Sequence, residues 1–270
     1  SGRTCSLHSL LSLTTLDFSR LSSKRIKRLI SSSLLCEFIL GREGSRKGAE
    51  RRLAVTSNMP EYRLHYINMR GLAECARQLF VLSGTPYEDI RHDPQEWMGQ
   101  LKAGAVSAFN RLPFLDIDDK VLPQSTAINR YLAKQFGFAG KTPFDEARVD
   151  ALADQFKDYW ADLVPFTYAM YSKEKDPETF EQKKNEVAIP ARDKLFHILE
   201  KEYKANGSTG FLIGDSLTWV DLLISDHMDV LEGLVPGFFD DFPGMMNLKK
   251  TVTSMAKLKE WLDKRPQTKY

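Results

Sequence analysis

Apolar and polar residues alternate from Tyr62: Tyr62, Leu64 and Tyr66 are separated by Arg63 and His65, the period of a half-buried strand. After Arg70-Gly71 the period changes, and Leu72, Ala76, Leu79, Phe80 and Leu82 fall at helical spacing. Residues 62–84 therefore predict a strand, a sharp turn and a helix. A tyrosine ends the strand beside a helix N-terminus. Such ends collect ligands in open α/β sheets, and a phenol there can donate one hydrogen bond to an anion.

Residues 109–137 repeat the theme. Leu112-Pro113 precedes the apolar run Phe114, Leu115, Ile117, and an X-Pro bond in that place is a candidate for the cis form. Asp118-Asp119 signals a turn, and Val121-Leu122 form a second short strand. Gln124-Ser125 then opens a helix with Ile128, Tyr131, Leu132 and Phe136 on its apolar face. Its first N–H groups, with Ser125, make a site for a carboxylate. The order is β-α-β, a loop helix, then β-β-α.

Beyond Gly137 the pattern is helical throughout. A long helix over about 145–170 carries Val149, Leu152, Phe156, Trp160 and Leu163 on one face. A second runs over about 177–205 to Asn206-Gly207, and Pro190 must kink or divide it. In residues 211–228, Thr218 stands three before Asp221 as a capping box, with Leu217 and Leu222 as a hydrophobic staple. Leu258, Trp261 and Leu262 belong to a last helix before Arg265-Pro266.

The ordered set of residues 62–74, Leu112-Pro113 and Gln124-Ser125 resembles the N-terminal half of a glutathione transferase. The sigma class, with its nematode branch and the glutathione-dependent prostaglandin D synthases, matches best, over about residues 59–270. The resemblance implies an α/β plus all-α fold, a thioredoxin-like glutathione-binding domain over 59–138 followed by an all-helical domain over 139–270. The segment 211–228 is similar to the folding motif of that family's helical half. Residues 1–58 stand apart as an extension. They carry 11 basic against 4 acidic residues, a net of +7 that leaves −5 for the remainder. A disordered or non-native extension, a mitochondrial-type targeting segment and a secretory signal are all compatible with their Arg- and Ser-rich, acid-poor composition.

Composition excludes little else. The acidic main body gives no sign of nucleic-acid binding. Three cysteines, Cys5, Cys36 and Cys75, are too few and scattered for a disulfide framework or a zinc site. A reducing cytoplasm is the simplest compartment, and no apolar run is long enough to span a membrane.

The chemistry follows from the thiol. Glutathione's thiol is like a free cysteine, with a pKa of about 8.5, and the thiolate is the nucleophile. Lowering that pKa by about two units takes about 2.7 kcal/mol. A hydrogen bond to a charged partner contributes about 1.5–3 kcal/mol, so one well-placed phenol can do most of the work. The resemblance assigns that phenol to Tyr66. Where some classes place a helping arginine this chain has Leu72, so help from a cation there is absent. Arg70 is expected to pair structurally near the domain interface.

By the same resemblance Gln124 and Ser125 hold the γ-glutamyl end, and Leu112 pairs its backbone with the cysteinyl unit. Trp97 and Lys102 hold the glycine end, with Lys102 one residue late in the spacing and Arg111 a further candidate. Asp150, Asp154, Asp158 and Asp162 form an acidic ridge at spacing four. Asp158 would reach a partner subunit's γ-glutamyl amino group in a homodimer. Lys157 replaces the middle member of the aspartate cluster that binds a divalent ion in prostaglandin D synthases, so no metal is expected. His65 and Cys75 read as packing residues. Met69, Phe166, Tyr168 and Tyr270 are candidate walls for a small apolar electrophile. The expected activity is conjugation of glutathione, the co-substrate. Prostaglandin D isomerisation and non-catalytic carriage of apolar ligands such as haem are the rivals.

Overall fold

The computed structural model describes residues 60–102 and 109–268, with backbone alone at Leu101 and Lys102. All of these lie within one unit, Ser57–Tyr270. Residues 1–58 and Tyr270 lie outside the described residues.

The first half is a small mixed sheet with helices. Strand β1 (Tyr62–Ile67) buries alternate residues, Tyr62, Leu64 and Tyr66. A 3-10 turn (Gly71–Ala73) leads into α1 (Glu74–Ser83), then β2 (Glu88–His92), α2 (Pro94–Lys102), β3 (Phe114–Ile117), β4 (Lys120–Pro123) and α3 (Ser125–Phe136). The strand order is β2-β1-β3-β4, with β1 parallel to β2 and antiparallel to β3, and β3 antiparallel to β4. This is a thioredoxin-like arrangement. The Leu112-Pro113 bond is cis.

The rest is helical: α4 (Pro143–Ser172), α5 (Pro177–Lys183), a π-helical turn (Lys184–Ala188), α6 (Ile189–Ala205), α7 (Trp219–Leu234), α8 (Pro243–Thr253) and α9 (Ala256–Lys264). Helix α4 starts with Pro143 behind a Thr142–Asp145 capping box, a start that satisfies two of its orphan donors. The backbone stays right-handed helical from α5 through the π-helical turn into α6, and Pro190 falls where that turn passes into α6, so the break expected within 177–205 is a local change of helical pitch. Helix α8 was not expected from the pattern. The capping box of α7 is present and wholly buried: Asp221 accepts from Thr218 N and Oγ1, each at 2.7 Å, and from Leu212 N at 2.9 Å. Leu217 and Leu222 are both buried in the core beside it.

The two halves are joined by buried charges. Arg70 Nη1 lies 2.8 Å from Asp229 Oδ2 on α7, the structural pairing anticipated for it. Glu74, fully buried on α1, accepts from Arg265 Nη1 at 2.8 Å and from Trp261 Nε1 at 2.9 Å. A buried carboxylate survives only when paired in this way.

Candidate functional site

The sheet register gathers the expected residues at one end. His65 pairs with Phe114, and Phe114 pairs with Pro123. One step further along these ladders places Tyr66, Pro113 and Gln124 side by side across three strands. At about 4.8 Å per strand spacing, Tyr66 and Gln124 stand roughly 10 Å apart. Arg91 of β2 is opposite Tyr66 on the other side, so α2 also starts from this end.

Tyr66 is buried, and its Oη accepts the Leu72 N–H at 3.3 Å. That bond uses a lone pair, so the phenolic hydrogen stays available. Burial raises the phenol's pKa above its ordinary value, and the Leu72 N–H offsets this in part. The group therefore stays protonated at neutral pH and can donate. The turn that brings Leu72 so close needs glycine at position 71. Gly71 has φ +41°, and a Cβ there would lie 2.7 Å from the Tyr66 Oη.

Gln124 sits at the N-cap of α3 with φ +77° and no side-chain cap. For a residue with a Cβ this backbone costs about 1–3 kcal/mol, and such outliers concentrate where a ligand is clamped. Ile128 N donates to Gln124 O at 2.9 Å, the first intrahelical bond. The earlier N–H groups of the α3 first turn point out of the helix toward any anion placed there. Leu112 is half-buried just before the β3 ladder begins, which leaves its backbone at the sheet's open end.

The glycine-end residues are placed less openly. The Trp97 ring is buried against His92 and Phe114, at centroid distances of 5.3 and 6.3 Å. Lys102 ends α2, and its side chain lies outside the described residues. Arg111 is exposed. His65 stacks on Phe114 at 4.2 Å, and its ring nitrogens lie 3.1 Å from His92 Nε2 and 3.2 Å from Asp116 Oδ2. It packs, facing away from Tyr66, but also belongs to a polar chain. Cys75 is buried, its Sγ 3.5 Å from Trp219 O, and burial pushes its thiol well up.

The acidic ridge on α4 is partly paired. Arg130 of α3 takes Asp150 at 2.9 Å and Asp154 at 3.7 Å, and Lys194 takes Asp162 at 2.9 Å. Asp158 is exposed beside Lys194 and alone of the four makes no ion pair among the described residues. No group of three or more metal-ligating side chains occurs among the described residues, and no helix there is long and apolar enough to cross a membrane.

Beside Tyr66 lies a cavity of about 130 Å³. Leu72 and Met69 form its wall on the sheet side, and α4 lines the other with Phe156, Trp160, Leu163, Thr167, Met170 and Tyr171. Those α4 positions recur at steps of three or four up to Met170, with Tyr171 one turn on from Thr167, and form one stripe. Phe166 and Tyr168 do not line this cavity: Phe166 is fully buried against Phe180 and Tyr168 is 72% exposed. They are not walls, whereas Met69 is. Helix α7 contributes two polar groups, Asp226 and His227.

Comparison with known proteins decides the family. The glutathione S-transferase N-terminal domain matches residues 62–134 and the C-terminal domain residues 161–265. Glutathione S-transferase 1 of Ascaris suum is 42% identical over 215 residues, which is 78% of this chain and 100% of that one. The chain belongs to the glutathione S-transferase family. The crystal structure of the Ascaris lumbricoides transferase covers 78% of this chain and all of its own, at 39% identity and a TM-score of 0.72. A more distant structure, rat hematopoietic PGD synthase complexed with a quinoline, covers 78% of this family member and all of itself, at 30% identity and a TM-score of 0.66.

Proposed function

We propose that this enzyme binds glutathione along the open end of its sheet and conjugates the thiolate to small apolar electrophiles held in the adjoining cavity. The observation that carries the reading is the register. It places a protonated, buried phenol roughly 10 Å from a strained helix N-cap, with the Leu112 backbone between them. A tripeptide with a carboxylate at one end and a thiol in the middle fits that spacing. The first turn of α3 and Ser125 take the γ-glutamyl carboxylate, Leu112 pairs with the cysteinyl backbone, and Tyr66 donates to the sulfur. Trp97 and Lys102 serve the glycine end from α2. Asp158, without an ion pair among the described residues, serves the partner subunit's γ-glutamyl ammonium in a homodimer. The domains divide near residue 138, and the protein works in the cytoplasm as a sigma-class enzyme. No metal takes part.

The test is conjugation of glutathione to chlorodinitrobenzene by the full chain and by Tyr66→Phe. Without a cation at position 72 to compensate, turnover is expected to fall about tenfold or more, a loss of roughly 1.4 kcal/mol. The pKa of bound glutathione, read from thiolate absorbance, should rise. Glutathione affinity should change much less, because the peptide anchors remain. An unchanged thiolate pKa would remove Tyr66 from the mechanism.

The likeness to a PGD synthase supports a second reading, isomerisation of a prostaglandin endoperoxide by the same thiolate. Turnover of that substrate with no net consumption of glutathione would establish it.

A further inference from the structure

We propose that Arg77, which no peptide anchor touches, is a positioning residue for the thiolate: it holds the β1–α1 turn in the shape that Tyr66 needs and supplies the cation missing at Leu72. The inference rests on the reading of Tyr66 given above.

Arg77 lies on α1, fully buried. Its Nη1 donates to the carbonyls of Met69 at 2.9 Å and Arg70 at 3.3 Å, and lies 3.3 Å from Glu74 Oε2. Its Nε donates to Asp89 Oδ1 on β2 at 3.0 Å. One guanidinium thus ties a strand, a helix and two successive carbonyls of the turn. Those carbonyls precede Gly71 and Leu72, the residues that pack on the Tyr66 Oη. Releasing them frees the Leu72 N–H from the Tyr66 Oη.

The charge matters as well as the geometry. The Arg77 guanidinium carbon stands 6.0 Å from the Tyr66 ring centroid. Its two carboxylates are shared: Glu74 is claimed also by Arg265, and Asp89 also by Arg91 at 2.8 Å. Within the linked cluster, Arg70, Arg77, Arg91, Arg265 and Lys249 face Glu74, Asp89, Asp226 and Asp229. Among the described residues of this cluster five cations meet four carboxylates, and burial beside Glu74 favours the neutral form of one of them, Asp226. Among the described residues the Nη2 of Arg77 is buried without a hydrogen-bond partner, so that edge of the guanidinium is not capped by an acceptor. A net positive charge behind a phenol that donates to sulfur favours thiolate over thiol, and a buried site screens it weakly.

The experiment compares Arg77→Gln and Arg77→Lys, in the full chain, with and without Tyr66→Phe. The readouts are the thiolate pKa of bound glutathione, the pH profile of kcat/KM, and kcat against KM. Arg77→Gln is expected to raise the thiolate pKa by about half a unit or more, as a charge at this range does even in a high effective dielectric. Its kcat should fall with little change in KM for glutathione. Arg77→Lys keeps the charge and should recover most of the pKa. In the Tyr66→Phe background the Arg77→Gln shift should shrink, since Arg77 acts through Tyr66. Should Arg77→Gln fail to fold, Arg77→Lys and Gly71→Ala carry the test: Lys should hold the thiolate pKa near wild type, and Ala at 71 should raise it by crowding Tyr66. A folded Arg77→Gln with a wild-type thiolate pKa overturns the inference, as does Arg77→Lys as impaired as Arg77→Gln. If Tyr66→Phe still shifts the pKa in that case, the Tyr66 reading stands and only the role of Arg77 fails.

Discussion

His227 closes the cavity on the α7 side, and its stability cost in acid can be worked from its surroundings. The imidazole Nε2 lies 2.8 Å from the Tyr159 Oη. The rings of Phe156, Tyr159 and Trp160 stand edge-on to it at 5.1, 5.2 and 5.8 Å. Burial among these rings lowers its pKa from 6.5 to about 3. Above pH 6.5 both folded and unfolded chains hold the neutral ring, and the residue contributes nothing. Below 6.5 the unfolded chain takes up a proton that the folded chain refuses, so stability falls as pH falls, until about pH 3. The slope is about 1.4 kcal/mol per pH unit, so roughly 2 kcal/mol is lost by pH 5. Asp221, pushed up by burial to about 6, and Asp226, pushed up by burial and the Glu74 charge, work in the opposite sense. Comparing wild type with His227→Gln cancels them, because both proteins carry them. Glutamine, with both a donor and an acceptor, can keep a hydrogen bond to the Tyr159 hydroxyl and removes the titration. Urea unfolding at pH 7.5 and 5.0, at one protein concentration, should show wild type losing about 2 kcal/mol more than the variant on acidification. Equal losses would mean that the ring is protonated in the fold or reached by water.

Further outcomes are expected elsewhere. Asp221→Ala leaves the Leu212 and Thr218 N–H groups buried without acceptors, at about 1–3 kcal/mol each. Denaturant unfolding should register a loss of about 3 kcal/mol or more, and a loss under about 1 kcal/mol would contradict the buried capping box. Asp158→Ala should weaken glutathione binding, measured by calorimetry, by about tenfold or more, while Asp150→Ala loses only its Arg130 partner and should bind normally. Equal effects, or a fully active monomer in sedimentation, would contradict a shared site. A chain beginning at Met59 should fold and conjugate glutathione like the full chain, and loss of activity would make residues 1–58 part of the working enzyme.

The strand and helix periods were legible because burial imposes them locally. The alternation at Tyr62, Leu64 and Tyr66 became a strand that buries those three residues, and the α4 stripe of Val149, Leu152, Phe156, Trp160 and Leu163 faces inward as read, with Trp160 partly covered. What stayed hidden was settled by contacts distant in sequence. Glu74 and Arg77 stand on the buried face of α1, where an apolar-face reading expects no charge. They are tolerated because Trp261 arrives from α9, Arg265 from the residue after it, and Asp89 from β2. The i, i+3 spacing of Glu74 and Arg77 was the available signal, yet on an exposed helix the same spacing is ordinary surface pairing. The acidic ridge was legible as a row of charge, and its side chains do stay largely in solvent, but its partners were not: Arg130 and Lys194 engage three of its four members. Phe166 and Tyr168 were named for their chemistry, but orientation along α4 decides the cavity wall, and it selects Thr167, Met170 and Tyr171.

Position 72 shows how one residue divides its labour. The polar service to Tyr66 comes from the Leu72 backbone N–H, which any residue but proline would supply. The side chain is then free to be chosen for the cavity, and here it is an apolar wall beside Met69 and Phe156. An arginine there would bring a cation to the sulfur, but it would also place a desolvated charge against an apolar electrophile, at a cost that burial magnifies. With Arg77 holding the turn from behind the ring, the positive charge sits outside the cavity and the wall stays apolar. On the proposed reading the two demands, a stabilised thiolate and a pocket for apolar electrophiles, are divided between the Leu72 backbone, backed by Arg77, and the Leu72 side chain.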